Sequence, residues 1–149
     1  MMELNRLSLR IVSAELEDGR SYQAAQITID ESSLIDLARR KEEPFAKREG
    51  HPKLAGAYSW LPRTQAARML NPDVESSSEK VALLECTCGI PGCWPLLAKV
   101  SKTEAQVVWS DFEQPHRHEA AVAGHWNYEA FGPFAFDREL YEDELRAIV

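Results

Sequence analysis

The apolar positions of this chain follow two periods. Leu7, Leu9 and Ile11 alternate with polar residues, and Ile27 and Ile29 alternate again after Asp18-Gly19, the short-range signature of a β-hairpin. A plain two-residue Asp-Gly loop would set Arg10 opposite Ile27 and turn the isoleucines to the face opposite Leu9. Only a one-residue shift brings both apolar sets to one face, so an odd-length loop or a bulge is expected near Asp18-Gly19. Ser33 and Asp36 then stand at capping-box spacing. Leu34, Ile35, Leu37 and Ala38 make a short apolar stripe that ends in Arg39-Arg40-Lys41, which predicts a helix over residues 33–42. Residues 43–59 carry two prolines, two glycines and aperiodic charge and read as a long connection, tethered by Phe45 and Tyr58.

Pro62 ahead of residues 64–70 predicts a second short helix, closed by Asn71-Pro72, and the serine-rich residues 73–80 read as a polar surface loop. Strand-like runs over residues 81–84 and 96–100 flank Pro91-Gly92, whose residue types suit the two central positions of a type II turn. A hairpin with its loop from Gly89 to Gly92 sets Cys88 opposite Cys93, and strand alternation puts Cys86 on the same side. A third strand over residues 105–112 completes an antiparallel meander, with Pro95 at an edge or bulge. Residues 119–125 fit either a loop or a single helical turn. Asp137 caps a C-terminal helix with Leu140, Tyr141, Leu145 and Ile148 on one face, expected to pack on the sheet. Trp126, Tyr128, Phe131, Phe134 and Phe136 gather around Gly132-Pro133, either as a satellite core or as the wall of a pocket. The expected fold is α+β: an antiparallel sheet built from the N-terminal hairpin and the later three-stranded meander, with about three helices including the C-terminal one.

Size and charge narrow the function. A chain of 149 residues, 44% of them hydrophobic, closes one core, so residues 1–149 are expected to form a single domain. With 17 basic against 24 acidic residues the net charge is −7, and no basic stripe is present to neutralise phosphates. Nucleic acid is disfavoured as a partner; a basic protein or a small molecule fits better. No signal-peptide pattern opens the chain and no apolar run approaches the roughly 18 residues that span a bilayer, so a cytoplasmic protein without a membrane partner is expected.

In a reducing compartment, three cysteines within eight positions argue for metal, redox chemistry or plain burial rather than a disulfide framework. Zinc favours thiolate and imidazole, and Cys86, Cys88 and Cys93 with His116 would complete a Cys3His set, although C-x-C followed by a cysteine five positions on departs from the usual paired spacing. Equally, Cys86 and Cys88 continue the apolar face of Leu84 and can pack as small hydrophobes. A third reading opposes Cys88 and Cys93 as a redox pair. His118 shares a strand face with His116 if the strand continues past Pro115. His51 and His125 rank lower as candidates, and Arg117 alone does not make an anion site.

The residues 86–95, Cys-Thr-Cys-Gly-Ile-Pro-Gly-Cys-Trp-Pro, followed by Trp109, Gln114-Pro115-His116-Arg117, Trp126-Asn127-Tyr128 and Gly132-Pro133-Phe134, resemble a group of small uncharacterised bacterial proteins built around a C-x-C-G-x-x-G-C hairpin. The resemblance covers the second half of the chain. It implies a bacterial, cytosolic, single-domain protein and carries over no catalytic residue. The function favoured by the sequence is a binding or regulatory module, immunity-like, whose acidic surface meets a basic partner, because no nucleophile and base are visibly paired. The alternative is a small zinc- or thiol-dependent enzyme using the Cys86, Cys88 and Cys93 cluster, with the aromatic cluster lining its cleft; a stand-alone structural protein comes third. The acidic balance predicts no tight, strongly salt-dependent binding of DNA or RNA at physiological salt, which a mobility-shift titration checks.

Overall fold

The computed structural model describes residues 3–71 and 79–149, so most of the expected polar loop over 73–80 lies outside the described residues. Strands β1 (Leu7–Glu15) and β2 (Ser21–Ile29) form the opening hairpin, with Leu7 facing Ile29 and Leu9 facing Ile27. The expected one-residue shift is present: Leu16 N–H donates to the Arg20 carbonyl (2.9 Å), leaving the three residues Glu17, Asp18 and Gly19 in the loop, with Gly19 at φ +86°. Arg10 consequently faces Gln26, and Ile27 and Ile29 are buried with Leu7.

The chain then turns at Asp30-Glu31, both at positive φ, into the two-residue strand β3 (Ser32–Ser33) against β2. Left-handed backbone at two successive non-glycine residues costs roughly 1–2 kcal/mol each. Asp30 offsets this with three bonds: its N–H donates to the Arg6 carbonyl, while its carboxylate accepts from Arg6 N–H (2.8 Å) and the Asn5 side-chain amide (2.6 Å).

Helix α1 (Leu34–Arg48) starts at its expected cap, where Ser33 Oγ accepts from Asp36 N–H (3.1 Å). It runs two turns beyond the predicted end and through Pro44. Pro44 and Arg40 are both exposed, so the carbonyl that loses its partner meets water. The buried side is continuous, through Leu34, Ala38, Glu42 and Ala46 at four-residue intervals, and this packing outweighs the local break.

A 3-10 turn (Pro52–Leu54) leads to β4 (Tyr58–Ser59), and α2 (Arg63–Met69) follows with Pro62 as its N-cap residue. Strands β5 (Val81–Cys86), β6 (Leu96–Lys102) and β7 (Gln106–Glu113) form the expected meander. β4 and β8 (Phe134–Asp137) extend it to a five-stranded antiparallel sheet in the order β4-β5-β6-β7-β8. The α+β class stands, with hairpin and meander in separate sheets that meet at two edges. Asn5 N–H donates to the Ala135 carbonyl (2.6 Å) beside β1, and Ala25 N–H donates to the Leu61 carbonyl (3.0 Å) beside β2. Two edges that would otherwise lie open are thereby covered.

Helix α3 (Arg138–Ile148) is capped by Asp137, whose carboxylate accepts from Leu140 N–H (3.0 Å), and it packs on β1, β7 and β8. Tyr141, Leu145 and Ile148 are buried as expected, whereas Leu140 is 53% exposed and lies off that face. Trp109 on β7 donates its indole N–H to the Tyr141 hydroxyl (3.1 Å), which donates to the Leu70 carbonyl (2.5 Å). Among the described residues, no helix is long and apolar enough to cross a membrane.

Glu42 is fully buried and was not singled out in the sequence. Its carboxylate accepts from Gly56 N–H (2.9 Å) and from the hydroxyls of Tyr58 and Tyr128 (both 2.5 Å). Burial, the largest influence, raises its carboxyl above the ordinary value against the opposing pull of these three donors. Replacing Glu42 by Ala strands all three donors and should cost roughly 3–5 kcal/mol in urea unfolding. The wild-type contribution from Glu42 protonation is fully present below the ordinary glutamate range. It is lost as pH rises through the raised folded pKa, because the unfolded chain releases the proton first. Glu42→Gln should remove that part of the stability–pH profile.

Candidate metal centre

Two successive turns build the cysteine loop. In the first, Gly89 N–H donates to the Cys86 carbonyl (3.0 Å); in the second, Cys93 N–H donates to the Ile90 carbonyl (3.2 Å). Gly89 and Gly92 take φ +82° and +80°, so Pro91-Gly92 occupies the expected centre of a type II turn. The strands reach Cys86 and begin at Leu96, but their pairing does not extend to the expected Cys88–Cys93 pair: Leu84 facing Leu96 is the last pair before the loop. Cys88 and Cys93 are therefore not cross-strand partners, because the first turn takes residues 86–89 and Pro95 has no N–H for the ladder.

The thiols nevertheless converge by another route. The three sulfurs all lie within 4.8 Å of one another, with Cys86 and Cys88 half-buried and Cys93 exposed. A tetrahedral zinc with bonds of about 2.3 Å sets its sulfurs about 3.8 Å apart, so a contraction of no more than about 1 Å would close the group on an ion. Backbone N–H groups already point at two of the sulfurs: Cys88 N–H at Cys86 Sγ (3.5 Å) and Ile90 N–H at Cys88 Sγ (3.4 Å). The Ile90 N–H is the main reason the Cys88 thiol is held below its ordinary pKa. Cys93 is pushed up to about 12, chiefly by its hydrogen bonds to Cys88 and then Cys86. A thiol held below its ordinary value beside a neighbour pushed above it is the pattern of acids sharing a charge, and a divalent cation would relieve that competition.

The loop is clamped from both sides. On one side the opening hairpin docks: Glu17 N–H donates to the Thr87 carbonyl (3.1 Å), Thr87 Oγ1 donates to the Glu17 carboxylate (2.7 Å), and Leu16 packs so close that a Cβ on Gly89 would lie 2.7 Å from its Cδ1. On the other side Trp94 stacks on His116 (5.7 Å) and meets Trp126 edge-on (5.7 Å). The Arg117 guanidinium lies over Trp94 and Trp126 and is paired with Glu49 (3.1 Å), to which Trp126 also donates. Arg117 is thus taken up by the fold. Neither Leu16 nor Glu17 carried any signal in the sequence, since each acts on the loop from about 70 residues away.

His116 sits beside the second turn, its Nε2 3.3 Å from the Gly92 carbonyl, while the sulfur group comprises the three cysteines without it. Residues Pro115–Arg117 form a 3-10 turn, so the strand face expected to carry both His116 and His118 does not form. His118 is exposed and its Nδ1 accepts from Ala120 N–H (3.1 Å). Beyond it the chain makes two further turns, closed by Ala121 N–H to the His118 carbonyl and Gly124 N–H to the Ala121 carbonyl, rather than a helix. His51 and His125 are exposed.

The aromatic cluster is core first. Trp126, Tyr128 and Phe136 are buried, and Phe131 and Phe134 pack edge-on against Phe112 (4.8 and 5.7 Å). Its outer side forms the wall of an open depression of about 870 Å³, whose lining includes none of the cysteines.

Gly89→Ala should destabilise the protein by about 1–2 kcal/mol, because alanine meets both the left-handed backbone and Leu16. In a Leu16→Ala background the steric part should vanish and roughly 1 kcal/mol should remain, as a double-mutant cycle in urea would read. Comparison with known proteins finds no family model, no curated protein and no solved structure that matches the chain, so the thiol geometry is the ground on which its function is argued.

Proposed function

We propose that this is a bacterial cytoplasmic binding or regulatory module, immunity-like, whose cysteine loop closes around one zinc ion held by Cys86, Cys88 and Cys93. The observation that carries the reading is the convergence of three sulfurs within 4.8 Å on a loop whose N–H groups already favour thiolate. Packing of Cys86 and Cys88 as small hydrophobes needs no such convergence, and both are only half-buried. The fourth position belongs to water or to His116, whose ring stands next to the turn that carries Cys93. The role of the ion is structural: it fixes a loop of nine residues between β5 and β6 that holds few ladder bonds of its own. An enzyme built on the same thiols would need a cleft that opens onto them; the open depression of about 870 Å³ is lined by other residues, and the small pocket beside the loop takes in Gly89 and Pro91 but none of the thiols. With a net charge of −7, a basic partner remains the favoured class.

Protein purified without chelator should carry one zinc per chain by elemental analysis. A strong chelator should lower Tm by about 5–10 °C, and Cys93→Ser should lower it similarly and abolish the chelator's effect. His116→Ala separates the fourth ligands, weakening zinc if imidazole binds and leaving it unchanged if water does. A metal-free protein indifferent to chelator, and unable to take up added zinc, would refute the reading.

A further inference from the structure

On the other side of the cysteine loop from Trp94, where the two sheets and the segment before α2 meet, lies a pocket of about 170 Å³. Its walls are apolar and aromatic, from Leu16, Tyr22, Trp60, Pro62 and Pro91, and one carboxyl group, that of Glu85, lies in its lining. We propose that this pocket binds an alkylammonium group, the Glu85 carboxylate taking the charge and the aromatic and apolar walls taking the stem. The site uses none of the three thiols, although Gly89 and Pro91 of its lining belong to the loop that carries them.

Glu85 is a half-buried acid that lacks a strong partner among the bonds it makes. Its Oε1 accepts from Gly92 N–H at 3.4 Å and its Oε2 from the Gln65 side-chain amide at 3.5 Å, both neutral donors beyond the usual 2.7–3.2 Å range. Two nearby cations are engaged elsewhere: Arg20 approaches Gly89 but pairs with Asp18 at 2.6 Å. Arg63, next to Pro62, donates to the Ile148 carbonyl at 2.7 Å.

The chemistry of the lining selects the occupant. A carboxylate repels anions, and in an acidic protein it does so more strongly. Tyr22 and Trp60 offer π-systems that attract a cation, Trp most of all. Each Glu85 oxygen is already directed to a different neighbour, which suits the compact ammonium of a four-carbon chain better than a planar guanidinium that needs both oxygens side by side. Two sources carry that group: a free alkylamine and the side chain of a lysine on a basic protein. Tyr22 is held in place by donating its hydroxyl to the Trp60 carbonyl (2.7 Å), so the two aromatic walls are fixed to one another before any ligand arrives.

The test is titration of the full-length protein, followed by amide and indole NMR shifts, with n-butylammonium, with the neutral isostere n-butanol, and with lysine blocked at both backbone ends. Butylammonium should saturate the Trp60 indole and the Gln65 and Glu85 amide signals, and butanol should bind about 10- to 100-fold more weakly. Blocked lysine binding at least as well as butylammonium identifies a protein side chain as the source, and butylammonium binding alone identifies a free amine. Glu85→Gln, which loses only two long bonds, should weaken butylammonium by a similar factor with Tm and zinc content unchanged. Equal binding of butanol, shifts centred elsewhere, or a folded Glu85→Gln that binds butylammonium as well as wild type would overturn the proposal. If that variant fails to fold, the ratio of butylammonium to butanol on the native chain decides. Zinc content measured on the same samples keeps this outcome separate from that of the metal site.

Discussion

The buried carboxylate of Glu42 is the constraint on which the second half of the molecule hangs. A glutamate sealed from water is tolerated only when its lone pairs are met by donors, and here three donors come from two stretches distant from it in sequence, Gly56 with Tyr58 and Tyr128. Gly56 supplies a backbone N–H, which requires the chain to approach α1 so closely that a Cβ there would lie 2.6 Å from Arg39 Cβ. Tyr58 brings β4 to the edge of the large sheet, and Tyr128 brings the aromatic segment over the top. Burial holds both phenols well above their usual range, so they stay neutral and act as donors. The network continues outward: Gln114 donates to the Tyr58 hydroxyl (3.2 Å) and to the Pro95 carbonyl (2.9 Å), which fixes the chain where the cysteine loop rejoins β6.

That outward reach explains why a loop with so little regular pairing holds three thiols together. Its exit is fixed through Pro95 and Gln114 to Glu42, its entry by the pairing of Tyr58 with Cys86, and its flank by Leu16 and Glu17 of the opening hairpin. Trp94 completes the frame by stacking on His116, its buried indole N–H finding no hydrogen-bond partner among the described residues. A site preorganised in this way loses little freedom when a ligand arrives, which is what tight binding by so few groups requires.

How much of this was legible in the sequence depended on the range of the interaction. The odd loop at Asp18-Gly19, the Ser33 and Asp137 caps and the Pro91-Gly92 turn were all readable, because each rests on residues a few positions apart. Strand β3 was not: Asp30-Glu31 lacks the Gly or Asn that marks a left-handed hairpin turn, and its conformation is held by Asn5 and Arg6 from the other end of the hairpin. The two extra turns of α1 were hidden by Pro44, since the packing of Ala46 and Glu42 that overrides it is tertiary. The convergence of Cys86, Cys88 and Cys93 was anticipated, but from strand pairing; two turns in series do the work instead. Local spacing predicted which residues meet, and the non-local clamps determined how.

The position of the thiol loop also has a thermodynamic consequence for the whole domain. The two sheets meet at Asn5 with Ala135 and at Ala25 with Leu61, and the cysteine loop makes a further junction, since Thr87 and Gly89 engage the β1–β2 loop while residues 84–86 and 96 belong to the large sheet. A ligand that binds only the ordered loop stabilises every contact that ordering requires, in proportion to the logarithm of its concentration over Kd. Closure of the three sulfurs on a cation would therefore strengthen the seam between sheets as well as the loop itself. Conversely, weakening the seam at Leu16 or Glu17 would lower affinity for the cation, because the two equilibria share the ordered state of residues 87–95.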